Sequence, residues 1–261
     1  MSLKGRTAIV TGSTSGIGLG IATAFAQHGA NIMLNGFGDP ATIEKIKHDL
    51  SAEHGIKVAY SGADMTKPAE IAKLVADTAS QLGSVDILVN NAGIQFTALV
   101  EDFPDDKWDA IIAINLSAAF HTAKAALPLM KKAGWGRIIN IASAHGLVAS
   151  AQKVAYVSAK HGLIGMTKVI ALETANDGIT ANAVCPGWVL TPLVEKQIRD
   201  RAAANGTSVA DEEKKLLSEK QPMHKFTTPQ QLAELALFLC SDGAATVTGS
   251  AFSMDGGWVA Q

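Results

Sequence analysis

Two cysteines in 261 residues leave no framework of disulfides to hold this chain together. Cys185 and Cys240 stand in unrelated contexts, with no metal-type spacing around either. They read as reduced, core-lining thiols of a cytoplasmic protein. No ligand cluster supports a catalytic metal. Charged residues make up only 18% of the chain and the formal net charge is −2. With no long basic run, nucleic acid has little to hold it. No apolar run reaches the roughly 20 residues of a membrane span. Near the N-terminus, Lys4-Gly5-Arg6 leads straight into Thr7–Val10, which predicts no cleavable leader.

Apolar residues are plentiful, at 48%, as expected of a globular chain. Short apolar, β-branched runs predict strands at Thr7–Thr11, Asn31–Asn35, Val58–Ser61, Ile87–Asn90, Arg137–Ala142, Ile179–Cys185 and Ala251–Met254. Several are apolar almost throughout, the pattern of strands covered on both faces. The segments between them read as helices, among them Ile17–Gln27, Ala69–Leu82, Trp108–Met130 and Ala155–Thr174. Alternation of this kind predicts an α/β fold: one doubly wound, Rossmann-like parallel sheet spanning residues 1–261. Leu193–Lys225 is polar and charged, with helical fragments split at Asn205-Gly206. It suits either a solvated excursion or a helical lid over residues 188–225. Its departure from a strand end, where open α/β sheets bind ligands, favours the lid.

Thr11–Gly18 reads T-G-S-T-S-G-I-G between the first strand and the first helix. Gly12, Gly16 and Gly18 allow a tight turn and close approach to a pyrophosphate, which the N–H groups of the helix N-terminus would hold. The spacing is G-x-x-x-G-x-G rather than the common G-x-G-x-x-G. A 2′-phosphate on the adenosine ribose would require Arg or Lys near Asn35-Gly36-Phe37-Gly38-Asp39 or Ser15. None is there, so the expected cofactor is NAD, with Phe37 over the adenine face. Asp64-Met65 ends the third strand, where a carboxylate would suit the adenine amino group or serve a turn. Asn90-Asn91-Ala92-Gly93 ends the fourth, with small residues for close approach and Asn side chains to brace strand ends.

Tyr156 and Lys160 are four apart on a helical pattern and share a face. A phenol with a pKa of about 10 is a poor base at neutral pH. A neighbouring ammonium and a positive nicotinamide would lower that value. Ser143, at the end of the preceding strand, would hold the substrate oxygen against the phenol.

Taken together, T-G-S-T-S-G-I-G, N-N-A-G at 90–93, Asn115, Ser143, Tyr156-x-x-x-Lys160, Pro186-Gly187 and Asp255-Gly256-Gly257 resemble the short-chain dehydrogenase/reductase family along essentially the whole chain. The resemblance implies that Tyr156 is the acid/base, that Lys160 positions the ribose and tunes the phenol, and that Ser143 orients substrate. Asn115 would maintain a water-linked proton path through Lys160. It also implies cofactor contacts from Gly12, Thr14, Ser15, Gly16, Ile17, Gly18, Phe37, Asp64, Met65, Asn91, Ala92, Gly93, Pro186, Gly187, Val189 and Thr191, and a homotetramer.

The segments N-G-F-G-D, N-A-G-I-Q, I-A-S-A-H-G-L-V-A-S, P-G-W-V and T-P-L-V-E-K-Q-I further resemble the branch of that family that interconverts D-3-hydroxybutyrate and acetoacetate. This implies carboxylate binding by Gln95, His145, Lys153 and Gln197, with Trp188 and Trp258 near the substrate. Leu190 departs from the pattern, replacing a more polar residue. The chemistry agrees: Lys153 brings charge, and the others bring directional hydrogen bonds for a small acid. Rival readings are an NADP-dependent 3-oxoacyl-carrier reductase, a small-polyol or sugar-acid dehydrogenase, and a non-catalytic NAD sensor. The first would want a basic ribose site and a carrier-protein surface. The last has no need of Ser143, Tyr156 and Lys160.

Overall fold

A computed structural model describes residues 2–260. Seven strands form one parallel sheet: β1 (Thr7–Val10), β2 (Asn31–Asn35), β3 (Val58–Ser61), β4 (Ile87–Asn90), β5 (Gly136–Ile141), β6 (Ile179–Pro186) and β7 (Ala251–Met254). Their spatial order is β3-β2-β1-β4-β5-β6-β7. Every residue of β1, β4, β5 and β6 is buried, which is why those runs carry no polar alternation. The order reverses between β1 and β4, and the crevice at their carboxyl ends is where a ligand fits such a sheet.

Helices cover both faces. On one side α1 (Gly16–Gln27) packs against α9 (Pro229–Cys240); on the other α3 (Pro68–Leu82) packs against α5 (Ala118–Ala133), with α6 (Val154–Glu173) beside it. Phe25, Ile21 and Ile32 are fully buried in the first layer, and Ile71, Leu74 and Leu88 in the second. Each such side chain contributes about 1.5–3 kcal/mol of burial. The remaining helix of the β2–β3 crossover, α2 (Pro40–His54), starts at Asp39, whose carboxylate accepts from Thr42 N. Asp39 is therefore an N-cap, which explains its position just beyond the strand tip.

One sequence expectation changes. Trp108–Met130, read as one helix, is α4 (Asp105–Ile112) and α5 joined by a π-helical turn at Ala113–Ser117. The wide turn contains no Pro or Gly, so its sequence keeps the helical pattern. The continuous stretch Asp105–Ala133 is also long and apolar enough, by length and composition, to cross a membrane. Its apolar side chains Ala118, Ala119, Ala123, Ala126 and Met130 are core residues of the α/β layers. The excursion after β6 is helical, as expected, forming α7 (Pro192–Asn205) and α8 (Val209–Ser218) with the break at Gly206.

Candidate active site

The carboxyl ends of the strands open into a cleft of about 530 Å³. Its first wall is the loop after β1. Ser15 caps α1 without a side-chain hydrogen bond, so the first-turn N–H groups face the cleft with no internal partner. Gly18 lies beneath the loop rather than in the lining: a Cβ there would stand 2.3 Å from Gly12 O and 2.6 Å from Asn91 Nδ2. The glycine lets the helix start press against the turn. Asn91 locks that turn to β4, donating to Thr11 O at 2.9 Å and Gly12 O at 3.0 Å. Thr11, which the sequence reading passed over, completes the lock by accepting from the N–H groups of Asn91 and Ala92 at 3.0 Å each. These features fit a dinucleotide pyrophosphate.

Thr14, Ser15, Gly16, Ile17, Phe37, Asp64, Met65, Ala92, Gly93, Pro186, Gly187, Val189 and Thr191 all line the cleft with Gly12 and Asn91. Asp64 fills both roles open to it: it lines the cleft while one oxygen accepts from Thr66 N and Oγ1, which with Lys67 holds the carboxyl below its ordinary range. Among the described lining residues the only Lys or Arg side chains are Lys153 and Lys160.

α6 begins at the cleft. Tyr156 and Lys160 lie one turn apart, and Ser143 lies two residues beyond the end of β5. Lys160 is 4% exposed, and its ammonium donates to Ile141 O at 2.7 Å. Burial lowers its pKa to about 8. The Tyr156 phenol is pushed up by burial, opposed by a hydrogen bond with Ser143. Lys160 alone therefore does not give the lowered phenol expected from sequence: its charge is taken by a carbonyl and weakened by burial.

Asn115 sits in the π turn and is 2% exposed. Its carboxamide accepts from Ile94 N at 2.8 Å and donates to Ile94 O at 2.9 Å, tying this helix to the loop after β4. It shares a second cavity of about 10 Å³, behind the main cleft, with Lys160, Thr11 and Asn90. Such a volume suits a single water. Asn90 also braces the strand ends as expected, donating to Asn140 and accepting from Thr122.

Of the residues expected to bind a carboxylate, Gln95, His145 and Lys153 line the cleft with Ser143 and Tyr156, as do Trp188 and Trp258, expected near the substrate. His145 Nε2 is 2.9 Å from Ser150 Oγ, and its ring meets Trp258 edge-on at 5.0 Å. Burial, then Lys153, then Lys220, lower its pKa to about 4, so the imidazole is neutral near pH 7. The Lys153 ammonium lies 5.7 Å from the Trp188 ring centre. Burial, then Lys220, push its pKa down, with Glu219 opposing. Among the described residues no carboxylate lies within ion-pair distance of it. Gln197 is not brought in. The buried face of α7 is Ile198 and Ala202, which leaves Gln197 exposed, and the lining comes instead from Pro192, Leu193 and Val194 in the first turn.

Comparison with known proteins agrees with this geometry. The family described as enoyl-(acyl carrier protein) reductase matches residues 12–259. The D-beta-hydroxybutyrate dehydrogenase of Cupriavidus necator is 60% identical over 99% of this chain and 100% of its own length. That of Rhizobium meliloti is 56% identical over 98% and 99%. The crystal structure of L-sorbose reductase from Gluconobacter frateurii, complexed with NADPH and L-sorbose, superposes with a TM-score of 0.95 at 32% identity, covering 100% of this chain and 99% of that one. From its sheet, its serine, tyrosine and lysine, and its full-length relatives, the chain belongs to the short-chain dehydrogenase/reductase family of oxidoreductases, which act on small molecules with a nicotinamide cofactor.

Proposed function

We propose that this protein interconverts D-3-hydroxybutyrate and acetoacetate, with NAD as cofactor. The observation that carries the reading is Lys153: a partly buried ammonium with no carboxylate in ion-pair reach among the described residues, in the cleft beside Ser143 and Tyr156. A small hydroxy acid supplies the missing anion. Gln95 and neutral His145 add directional hydrogen bonds, and Trp188 and Trp258 give the methyl group apolar walls. Ser143 holds the hydroxyl of the acid against Tyr156. In oxidation the phenolate takes the hydroxyl proton; in reduction the phenol returns it. A bound nicotinamide would supply the hydride acceptor and a positive charge. Lys160 would hold the ribose end of that group, and Asn115 would keep the proton route behind Lys160 in register.

The test is initial-rate NADH formation with D- and L-3-hydroxybutyrate in parallel, with NADP as control. Fast, D-selective, NAD-dependent turnover is expected. Turnover of neither enantiomer would remove the substrate assignment.

The choice of NAD rests on the ribose end, where the lining residues Thr14, Ser15, Gly36 and Phe37 bring no cation. Phe37 is 70% exposed at the rim, so replacement costs the core little. Phe37→Arg is expected to raise kcat/KM with NADP by about tenfold, through a charge-assisted hydrogen bond to the 2′-phosphate. An unchanged NADP/NAD ratio would show that the selectivity lies elsewhere.

The unpaired, buried Cys185 and Cys240 support a reducing, cytoplasmic setting. Exposed Trp108, Phe120, Val169 and Leu172 on α4, α5 and α6 support assembly as a homotetramer. Light scattering of the purified protein tests the assembly.

A further inference from the structure

Behind the aromatic end of the cleft lies a buried carboxamide that the chemistry above does not use. Gln221 follows α8 and is 1% exposed. Its backbone N–H donates to Leu217 O at 2.8 Å, which ties it to the end of the lid helix. Its side chain reaches out of the lid. Oε1 accepts from the backbone N–H of Trp188 at 2.5 Å, and Nε2 donates to Lys225 O at 2.8 Å. One carboxamide thus joins the lid to the loop after β6 that carries the first indole wall.

The backbone is shaped to admit it. A Cβ on Gly187 would stand 2.5 Å from Gln221 Oε1 and 2.9 Å from Asp255 Cα, so only glycine leaves room there. A Cβ on Gly256 would stand 3.1 Å from Gln221 Nε2. The residues that follow Gln221 hold the second wall. Met223 N donates to Gly256 O at 3.0 Å, and the Pro222 ring packs beside Gly257, next to Trp258. The two indole rings lie 6.4 Å apart, tilted by 30°. The carbonyl side of Trp188 is fixed separately, by Thr227 N at 2.9 Å. Its N–H side is fixed by Gln221.

We propose that Gln221 is a positioning residue for substrate chain length. By pinning the Trp188 N–H to the lid, it sets the gap between Trp188 and Trp258 that receives the alkyl end of the hydroxy acid. The inference rests on the proposed 3-hydroxy-acid substrate. Removing the carboxamide takes away the partner of the Trp188 N–H and the donor to Lys225 O, and the loop that carries Trp188 is no longer tied to the end of α8. A pocket that discriminates by single methylenes loses that discrimination when its walls shift, on a scale of about 10- to 200-fold per methylene.

The experiment compares wild type, Q221M and Q221E. Met keeps the length of the side chain without its hydrogen bonds; Glu keeps the acceptor for Trp188. Two quantities are read: the ratio of kcat/KM for 3-hydroxyhexanoate over 3-hydroxybutyrate, and amide hydrogen exchange at Trp188. In Q221M the ratio is expected to rise roughly tenfold and the Trp188 amide to lose protection, with KM for NAD unchanged. Q221E keeps the acceptor for the Trp188 N–H but loses the donor to Lys225 O, so it is expected to fall between wild type and Q221M in both quantities. An unchanged ratio and unchanged protection in Q221M would overturn the proposal. So would equal loss of activity on both acids, which marks a merely structural role. Should Q221M fail to fold, Q221N draws the amide back by one carbon and must raise the ratio. Wild-type protein inactive on both acids would overturn the substrate reading instead, and the exchange comparison would then decide the latch by itself.

Discussion

Replacing Tyr156 by Phe is expected to lower kcat by about 10²- to 10⁴-fold in both directions, the range a positioned general acid/base supplies. The ring stays, and with it the edge-on contact to His145 at 5.9 Å, so the fold around α6 is retained. Only the hydroxyl is lost. The cofactor cradle lies mainly on the loop after β1 and the first turn of α1, so NAD affinity measured by fluorescence titration is expected to stay within about threefold. That difference is under 1 kcal/mol. A variant keeping more than a tenth of wild-type turnover would place the proton transfer on another group.

The pH profile carries the sign. Oxidation needs the phenolate, and burial of Tyr156 favours the neutral phenol. Oxidation should therefore speed up as pH rises, and reduction, which needs the proton on the phenol, should slow. Lys160 loses its charge above about 8. Burial and the Ser143 hydrogen bond, not Lys160, set the phenol, so the alkaline rise of oxidation belongs to Tyr156 itself. Tyr156→Phe should remove the acid limb of oxidation and leave a residual rate insensitive to pH.

Much of this site is legible in the sequence because its chemistry is local. Tyr156 and Lys160 share a helix face by spacing alone, and the glycine loop lies between a strand and a helix that apolar periodicity locates. The strand ends follow from runs that are buried on both sides. What periodicity does not carry is the contact across the fold. The π turn around Asn115 is specified by two hydrogen bonds to Ile94, a loop residue after β4, so nothing in the helical pattern marks it. Gln221 is one polar residue in a polar segment; only the chain path that returns it beneath Gly187 makes it a buried crosslink. Gln197 shows the converse. Its helix is predicted, but which face points inward depends on Ile198 and Ala202 docking against neighbours, and they turn Gln197 to solvent. Asp39, suited by type to a ribose, is spent on capping α2.

Lys153→Met is expected to raise KM for 3-hydroxybutyrate by about 10- to 100-fold, the loss of one charge-assisted hydrogen bond worth about 1.5–3 kcal/mol. Met preserves an unbranched apolar stem against Trp188, so the wall is kept and the ammonium alone removed. KM for NAD should not move, because the residue stands at the substrate end. The size of the effect follows from the surroundings. Burial and Lys220 both disfavour the charge on Lys153, and the arriving carboxylate offsets that cost in one step. His145 does not substitute for it: with a pKa of about 4 it is neutral at any ordinary assay pH and gives direction without charge. The sign of the pH dependence follows. Lys153 is charged below its lowered pKa, so substrate KM should rise as pH climbs through that value, and in Lys153→Met this rise should vanish. Lys153→Arg, which keeps a cation, should recover part of the affinity. Substrate KM within threefold of wild type in the Met variant, or an equal change in KM for NAD, would mean that the carboxylate is held by something other than Lys153.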